Sequence, residues 1–237
     1  MEIIEYINDN SDINIIFLHG WGVNHTSLSP LAKHFISKYN VYLMDLTGFD
    51  KTSLTRAYTI EDYIGEIEHF IANKHLENIV IFGHSFGGKI ACKLKLLHPN
   101  YKVIALAPSI VKVQHQIKIK IKICLYKVLK FLHFKIPTFL QGSNDYKNTY
   151  GLLRETFKNV CHVYLSKDEI KQLSETLIFI FSEDKQINND AIKKLQKRNE
   201  HIHIIKCDGN HFGYLNNIIE IVRLSSIYIH GDKNEIC

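Results

Sequence analysis

Asn78-Ile79-Val80-Ile81-Phe82-Gly83-His84-Ser85-Phe86-Gly87-Gly88 is the segment from which the rest of the chain can be read. Ile79 to Phe82 is a short apolar run of strand-forming residues. Gly83 to Gly88 reads as a turn, and Lys89 to His98 as a helix ended by Pro99. The embedded Gly83-His84-Ser85-Phe86-Gly87 fits G-x-S-x-G. A serine hydroxyl is a weak nucleophile and has to be presented to both a substrate and a base. A sharp strand-to-helix turn presents it, and small residues two positions to either side let the backbones approach. The helix that follows aims its N–H groups at the same point and favours negative charge there. The pentapeptide alone is common; the strand, the helix and Gly88 around it make it specific. Ser85 is the predicted nucleophile.

Working outward, strand-like runs alternate with helical patterns, which predicts a mostly parallel sheet flanked by helices. Asn14 to Leu18 is a strand ending in His19-Gly20-Trp21-Gly22, and Ser29-Pro30 opens a helix toward Ser37. Val41 to Met44 is a second strand. Thr59-Ile60-Glu61-Asp62 starts a helix whose face is Ile60, Ile64, Ile67 and Ile71. The run above is the third strand, and Lys102 to Leu106 the fourth. Alternation then stops from Ile110 to about Glu175, where Val113, Ile117, Ile121, Leu125, Val128 and Leu132 form a helical stripe; Ile117, Ile119, Ile121 and Ile123 also alternate with lysines as in a strand, but the stripe continues past Cys124, which favours helix. It resumes with strands at Thr176–Phe181 and Ile202–Ile205 and a last helix from about Tyr214 to Leu224, leaving a polar, loose tail. The expected organisation is a core of residues 1–109 and 176–237, with residues 110–175 as a helical lid inserted after the fourth predicted strand. Such a lid lies over the carboxyl ends of the strands, where open α/β sheets place ligands.

Four partners of Ser85 follow from this layout. A tetrahedral intermediate needs preorganised donors for its oxygen; the backbone N–H groups of Phe86 and Trp21 are the predicted pair. Among 14 histidines, His211 follows a strand and the Asp208-Gly209-Asn210 turn, so it can lean over the strand ends as general base. His84 adjoins the serine with a side chain expected to project away from it, and His19 is expected to brace its loop. The carboxylate that fixes the imidazole tautomer is predicted to be Asp184, with neighbouring Glu183 left open and Asp208 a weaker rival.

Composition narrows the function class. Hydrophobic residues make up 46% and charged residues 22%, as in ordinary globular domains. The five cysteines are scattered and lack C-x-x-C spacing, no basic–apolar leader opens the chain, and no run is long enough to span a bilayer. A cytoplasmic location with reduced thiols is the expectation. No metal-ligand spacing and no phosphate loop is found, since Ile90 follows Lys89, so no metal or cofactor is expected. The net charge of +5 is partly local: Lys112 to Asn144 holds no acidic residue, and seven lysines fall between Lys112 and Lys135. That face is expected either to be merely solvated or to meet an anionic surface or an acidic carrier protein. No nucleic-acid module accompanies it, so nucleic acid is not an expected partner.

Taken together, Phe17-Leu18-His19-Gly20-Trp21-Gly22, Asp45-Leu46-Thr47-Gly48-Phe49, the Ser85 motif and Gly209-Asn210-His211-Phe212 resemble the α/β-hydrolase superfamily, and within it small bacterial α/β-fold hydrolases. Those have a lid stretch similar to Gly142-Ser143-Asn144-Asp145-Tyr146 continuing through Gly151 to Lys158. The resemblance runs from about Ile15 to Leu224. It implies a triad of Ser85, Asp184 and His211, oxyanion donors at Trp21 and Phe86, and no cofactor. Three residues depart from the family pattern: Thr47 replaces the usual proline, Asp50 a frequent glycine, and Phe181 the glycine that usually precedes the acid. The expected activity is hydrolysis of an ester or related small acyl compound through an acyl-enzyme on Ser85. The His19–Gly22 loop also resembles that of pimeloyl-ester enzymes, which implies an alternative substrate, an ester held on acyl-carrier protein. A second alternative is a ligand-binding protein that keeps the triad and turns over little.

Overall fold

The structure, a computed structural model, describes residues 1–112, 125, 129 and 144–231. Its centre is a seven-stranded sheet: β1 (Glu2–Tyr6), β2 (Asn14–Leu18), β3 (Asn40–Asp45), β4 (Ile79–His84), β5 (Lys102–Leu106), β6 (Thr176–Phe181) and β7 (Ile202–Cys207). The spatial order is β1-β3-β2-β4-β5-β6-β7. Only β1 runs antiparallel, against β3; every other neighbouring pair is parallel. Strands covered on both faces need no polar alternation, and β2, β4 and β6 are buried at every residue.

The helices among the described residues are α1 (Ser29–Ala32), α2 (Ile60–Asn73), α3 (Phe86–Leu97), α4 (Asn144–Lys147), α5 (Gly151–Val160), α6 (Lys167–Gln172), α7 (Asn189–Gln196) and α8 (Ile218–His230). α2 starts where the sequence placed it: the Thr59 hydroxyl accepts from Asp62 N–H while the Asp62 carboxylate accepts from Thr59 N–H, satisfying two N–H groups that the helix cannot. Its buried face includes Ile60, Ile64, Ile67 and Ile71. α3 begins at Phe86 rather than Lys89, because the turn at Ser85 is tighter than a glycine-rich loop.

Four expectations need correction. Glu2–Tyr6 forms an edge strand that was not expected, so the fourth predicted strand, which the insertion follows, is β5 of the sheet. The helix from Ser29 stops at Ala32 and continues to Tyr39 as separate turns. The last helix starts at Ile218, after a short 3-10 turn at Gly213–Leu215, and runs past Leu224 to His230, ending at Gly231 with φ 86°. The described part of the expected tail docks: Tyr228 and Ile229 are buried, and the Tyr228 hydroxyl donates to Glu175 O at 2.7 Å; residues 232–237 lie outside the described residues.

Of the predicted stripe in the insertion only Leu125 is described, in helical conformation. The rest of the stripe, the lysines from Lys118 to Lys135, and Gly142 and Ser143 lie outside the described residues. The described part, α4 to α6, is tied to the core. Lys89 Nζ on α3 donates to Val160 O at the end of α5 (2.8 Å), Lys93 pairs with Glu169 (2.5 Å), and Tyr58 N–H donates to Thr156 Oγ1 (2.9 Å). Burial pushes the Lys89 ammonium down to about 8.

The strand order places the site. From β2 the chain moves to β3 on one side, then returns through α2 to β4 on the other. The loops leaving β2 and β4 therefore diverge, and a crevice opens at their carboxyl ends.

Candidate active site

Ser85 sits at the tip of the β4–α3 turn with φ 50° and ψ −104°, a conformation that costs a non-glycine residue free energy and persists only where its surroundings enforce it. The surroundings do so. Ser85 N–H donates to Leu106 O (2.9 Å), and Ser85 O accepts from Lys89 and Ser109 N–H (3.0 and 3.1 Å). A Cβ on Gly83 would lie 2.4 Å from Gly87 O, and one on Gly87 2.1 Å from Leu18 O. These contacts are why the motif needs glycine on both sides. Gly87 N–H donates to His19 O (3.1 Å), whereas Phe86 N–H, at the first position of α3, has no intrahelical acceptor.

Ser85, Trp21 and His211 line one cleft of about 630 Å³, a size that suits a small-molecule ligand. Trp21 is held in an aromatic cluster, edge-on to Phe49, Phe86 and Phe157 at centroid distances of 4.9, 5.3 and 5.1 Å. The loop carrying it is braced from beneath. His19 Nδ1–H donates to Gly20 O (2.7 Å) and its Nε2 accepts from Leu46 N–H (3.0 Å). Both ring nitrogens are thus used with the ring neutral, and burial lowers the His19 pKa. Further along, Asp45 accepts from His25 N–H (2.6 Å) and His25 Nδ1–H (2.7 Å).

His211 stands on the loop after β7. Its Nδ1–H donates to Asp184 Oδ2 at 2.7 Å, and Asp184 Oδ1 accepts from the N–H groups of Gln186 (2.7 Å) and Ile187 (3.3 Å). Burial works to raise the Asp184 pKa, but the His211 hydrogen bond and charge and the two backbone donors outweigh it, and the net shift is downward. Of the three candidate carboxylates, this is the one paired with His211. Glu183 is exposed, and Asp208 accepts from Ser182 Oγ at 3.0 Å. The geometry brings Asp184 to His211 and puts His211 and Ser85 in the same cleft. Among the described residues Ser85 Oγ has no hydrogen-bond partner, so the contact from His211 Nε2 is not made; such contacts often tighten only with substrate bound.

The three departures from the family pattern have local explanations. Thr47 Oγ1 donates to the Glu66 carboxylate (2.8 and 2.9 Å). Asp50 has φ 52°, the left-handed region where glycine is the usual residue and Asp is tolerated. Phe181 is fully buried, its ring filling the space beside Gly213, where a Cβ would lie 2.5 Å from it.

Two features escaped the sequence. His84 does not leave the site: it lines the cleft and packs against His211 at 4.8 Å. Its Nε2–H donates to His211 O (3.0 Å), its Nδ1 has no partner among the described residues, and burial pushes it down to about 3, so it stays neutral. Asp50 and Asp145 also line the cleft, and no spacing in the sequence joins them to the motifs. His25, Asp45 and Asp50 bring ligand-type atoms within 4.8 Å of one another, but the Asp45 oxygens are already engaged in bracing the loop.

A family model described as the alpha/beta hydrolase family matches residues 15–217. The chain belongs to the alpha/beta hydrolase family. Solved structures agree on the fold. An esterase from Exiguobacterium antarcticum superposes with a TM-score of 0.74 at 18% identity, covering 97% of this chain and 95% of that one. A hydrolase from Oleispira antarctica gives 0.74 at 15% identity, covering 97% and 94%. Among curated relatives, a pimeloyl-[acyl-carrier protein] methyl ester esterase from Pseudoalteromonas atlantica is 34% identical over 104 residues, 43% of this chain and 39% of the relative. One of the same name from Wigglesworthia glossinidia brevipalpis is 28% identical over 91 residues, 38% and 34%. The matched stretch thus spans well under half of each curated relative. Among the described residues no helix is long and apolar enough to cross a membrane, and Cys92, Cys161 and Cys207 are free thiols.

Proposed function

We propose that this hydrolase cleaves carboxylic esters through an acyl-enzyme on Ser85. The observation that carries the reading is the Asp184–His211 hydrogen bond at 2.7 Å on the wall of the cleft that Ser85 also lines. With Nδ1–H committed to Asp184, the neutral imidazole keeps Nε2 as its basic nitrogen. Rotation of the Ser85 side chain brings Oγ to it. Oγ attacks the ester carbonyl and its proton passes to Nε2; the carbonyl oxygen, now negative, is received by the N–H groups of Trp21 and Phe86. Collapse expels the alcohol, which takes the proton from His211. Water, deprotonated by the same nitrogen, then releases the acid. No cofactor takes part. Asp184 stays ionised and stabilises the imidazolium. The described part of the insertion contributes Asp145 and Leu153 to the cleft wall, which supports reading residues 110–175 as a lid on a core of 1–109 and 176–237.

Turnover of p-nitrophenyl butyrate tests this. Release of p-nitrophenol is expected from the unaltered protein and only background from Ser85→Ala. Tight ligand binding without turnover, unaffected by Ser85→Ala, would instead identify a binding protein.

The curated relatives favour a narrower substrate: an ester whose acyl chain is carried on acyl-carrier protein. The lysines between Lys112 and Lys135 suit an acidic carrier, because opposite surface charges accelerate encounter. A methyl ester loaded on the carrier should then be cleaved with kcat/KM at least about tenfold above the same acyl group on pantetheine, and added salt should narrow the gap. Equal values for the two would reject carrier recognition.

A further inference from the structure

Two carboxylates of the cleft have no part in the proposed reaction. Asp145 stands on α4, in the insertion, and Asp50 on the loop that leaves β3, so they reach the cleft from two different segments of the chain. Neither enters an ion pair among the described residues, in contrast to Asp45 and Asp184, each of which holds a histidine. No lysine or arginine is among the described residues of the cleft wall; its other ionisable side chains are His84, held neutral by burial, and His211. The wall is otherwise apolar, from Trp21, Phe49, Leu153 and Phe212, or neutral and polar. Both carboxylates are exposed to solvent on that wall, so their charge acts through water and is weakened by salt. A ligand anion placed there meets two like charges and no compensating cation on the described wall.

We propose that Asp145 and Asp50 select substrate by charge, so that the cleft accepts esters whose bound portion is neutral or cationic and rejects those bearing a free carboxylate or phosphate inside it. This rests on the ester-hydrolase reading and adds to it the class of substrate. It also bears on product release. Hydrolysis turns a neutral ester into a carboxylic acid that is already ionised at about pH 7, so the product becomes the anion that the wall repels. An anionic group elsewhere on the substrate has to remain outside the cleft.

Two p-nitrophenyl esters of one length test the proposal: p-nitrophenyl methyl adipate, which is neutral, and mono-p-nitrophenyl adipate, which ends in a carboxylate. Release of p-nitrophenol at pH 7.5 and low salt is measured with Ser85→Ala as background. The expected ratio of kcat/KM, neutral over anionic, is about tenfold or more. It should fall at least about threefold in Asp145→Asn and again in the Asp50→Asn, Asp145→Asn double variant. Both changes keep side-chain shape, and Asn tolerates the positive φ of Asp50. Raising salt to about 0.5 M should narrow the ratio for the unaltered protein, since screening shortens the reach of the carboxylates; that arm needs no variant to fold. A ratio near one at low salt, or a ratio unmoved by both salt and the substitutions, overturns charge selection. Absence of Ser85-dependent release from either ester would overturn the ester-hydrolase reading instead.

Discussion

Two histidine–carboxylate pairs stand beside the cleft with the same geometry. His25 Nδ1–H meets Asp45 at 2.7 Å, and His211 Nδ1–H meets Asp184 at 2.7 Å. What surrounds them differs. The second oxygen of Asp45 accepts the backbone N–H of His25 itself, and His19 Nε2 lies 3.8 Å from the same carboxylate. That pair closes on its own loop and pins residues 19–25 to the end of β3. The second oxygen of Asp184 is held by Gln186 and Ile187, within the loop after β6, so the carboxylate is fixed on one loop while its histidine comes from another. His211 then shares the cleft with a strained serine; His25 has no such neighbour. A hydrogen-bond length identifies a bonded pair, but the group within reach of the imidazole's other nitrogen decides whether the pair braces a loop or moves a proton.

The two pairs can be separated by substitution. The largest effect is expected at the serine and its base: Ser85→Ala and His211→Ala should each lower kcat for p-nitrophenyl butyrate by at least about 10⁴, and the double variant should be scarcely worse, because residues acting as one unit are not additive. Next comes the direct contrast. Asp184→Asn should lower kcat by about 10³–10⁴ through the wrong imidazole tautomer, with little change in KM. Asp45→Asn should lower kcat less than about tenfold while costing about 1–3 kcal/mol of stability in urea unfolding, since a buried acceptor of two donors is weakened. The opposite pattern would reverse the roles assigned to the two pairs.

A smaller effect sharpens the picture of the histidine that serves neither pair. His84 is held down at about 3 in the folded chain, from an ordinary 6.5. Between those values the unfolded chain binds a proton that the folded chain does not. The His84 contribution is therefore fully present above pH 6.5 and is lost as pH falls toward 3, at about 1.4 kcal/mol per pH unit. Urea midpoints from pH 7 to 4.5 should show that slope reduced in His84→Gln, which retains a donor for His211 O. An unchanged slope would mean that the ring is not the buried neutral group described.

Much of this was legible in the chain. β2, β4, β5 and β6 were readable because strands covered on both faces appear as continuous apolar runs, and the α2 capping box announced itself at Thr59 and Asp62. Ser85, His211 and Asp184 could be nominated because each follows a strand, and ligands of a parallel sheet bind at the carboxyl ends of its strands. β1 was missed because Glu2–Tyr6 is only half-buried and owes its conformation to pairing with β3. α6 carries a readable signal that was passed over: Ser166 and Glu169 form a reciprocal cap. The helix beyond Leu224 was obscured by Ser225 and Ser226, yet its far end docks through Tyr228 and Ile229. His84, Asp50 and Asp145 were out of reach, since what matters about them is which groups from distant segments surround them.

The central claim is that Ser85 is activated by His211, and covalent labelling tests it most directly. The chain is treated with a fluorophosphonate, digested and mapped by mass spectrometry, in parallel with His211→Ala. The account predicts one adduct, on Ser85, forming at least about a hundredfold more slowly in the variant. An adduct on another residue, or labelling of Ser85 at an unchanged rate without His211, would contradict it.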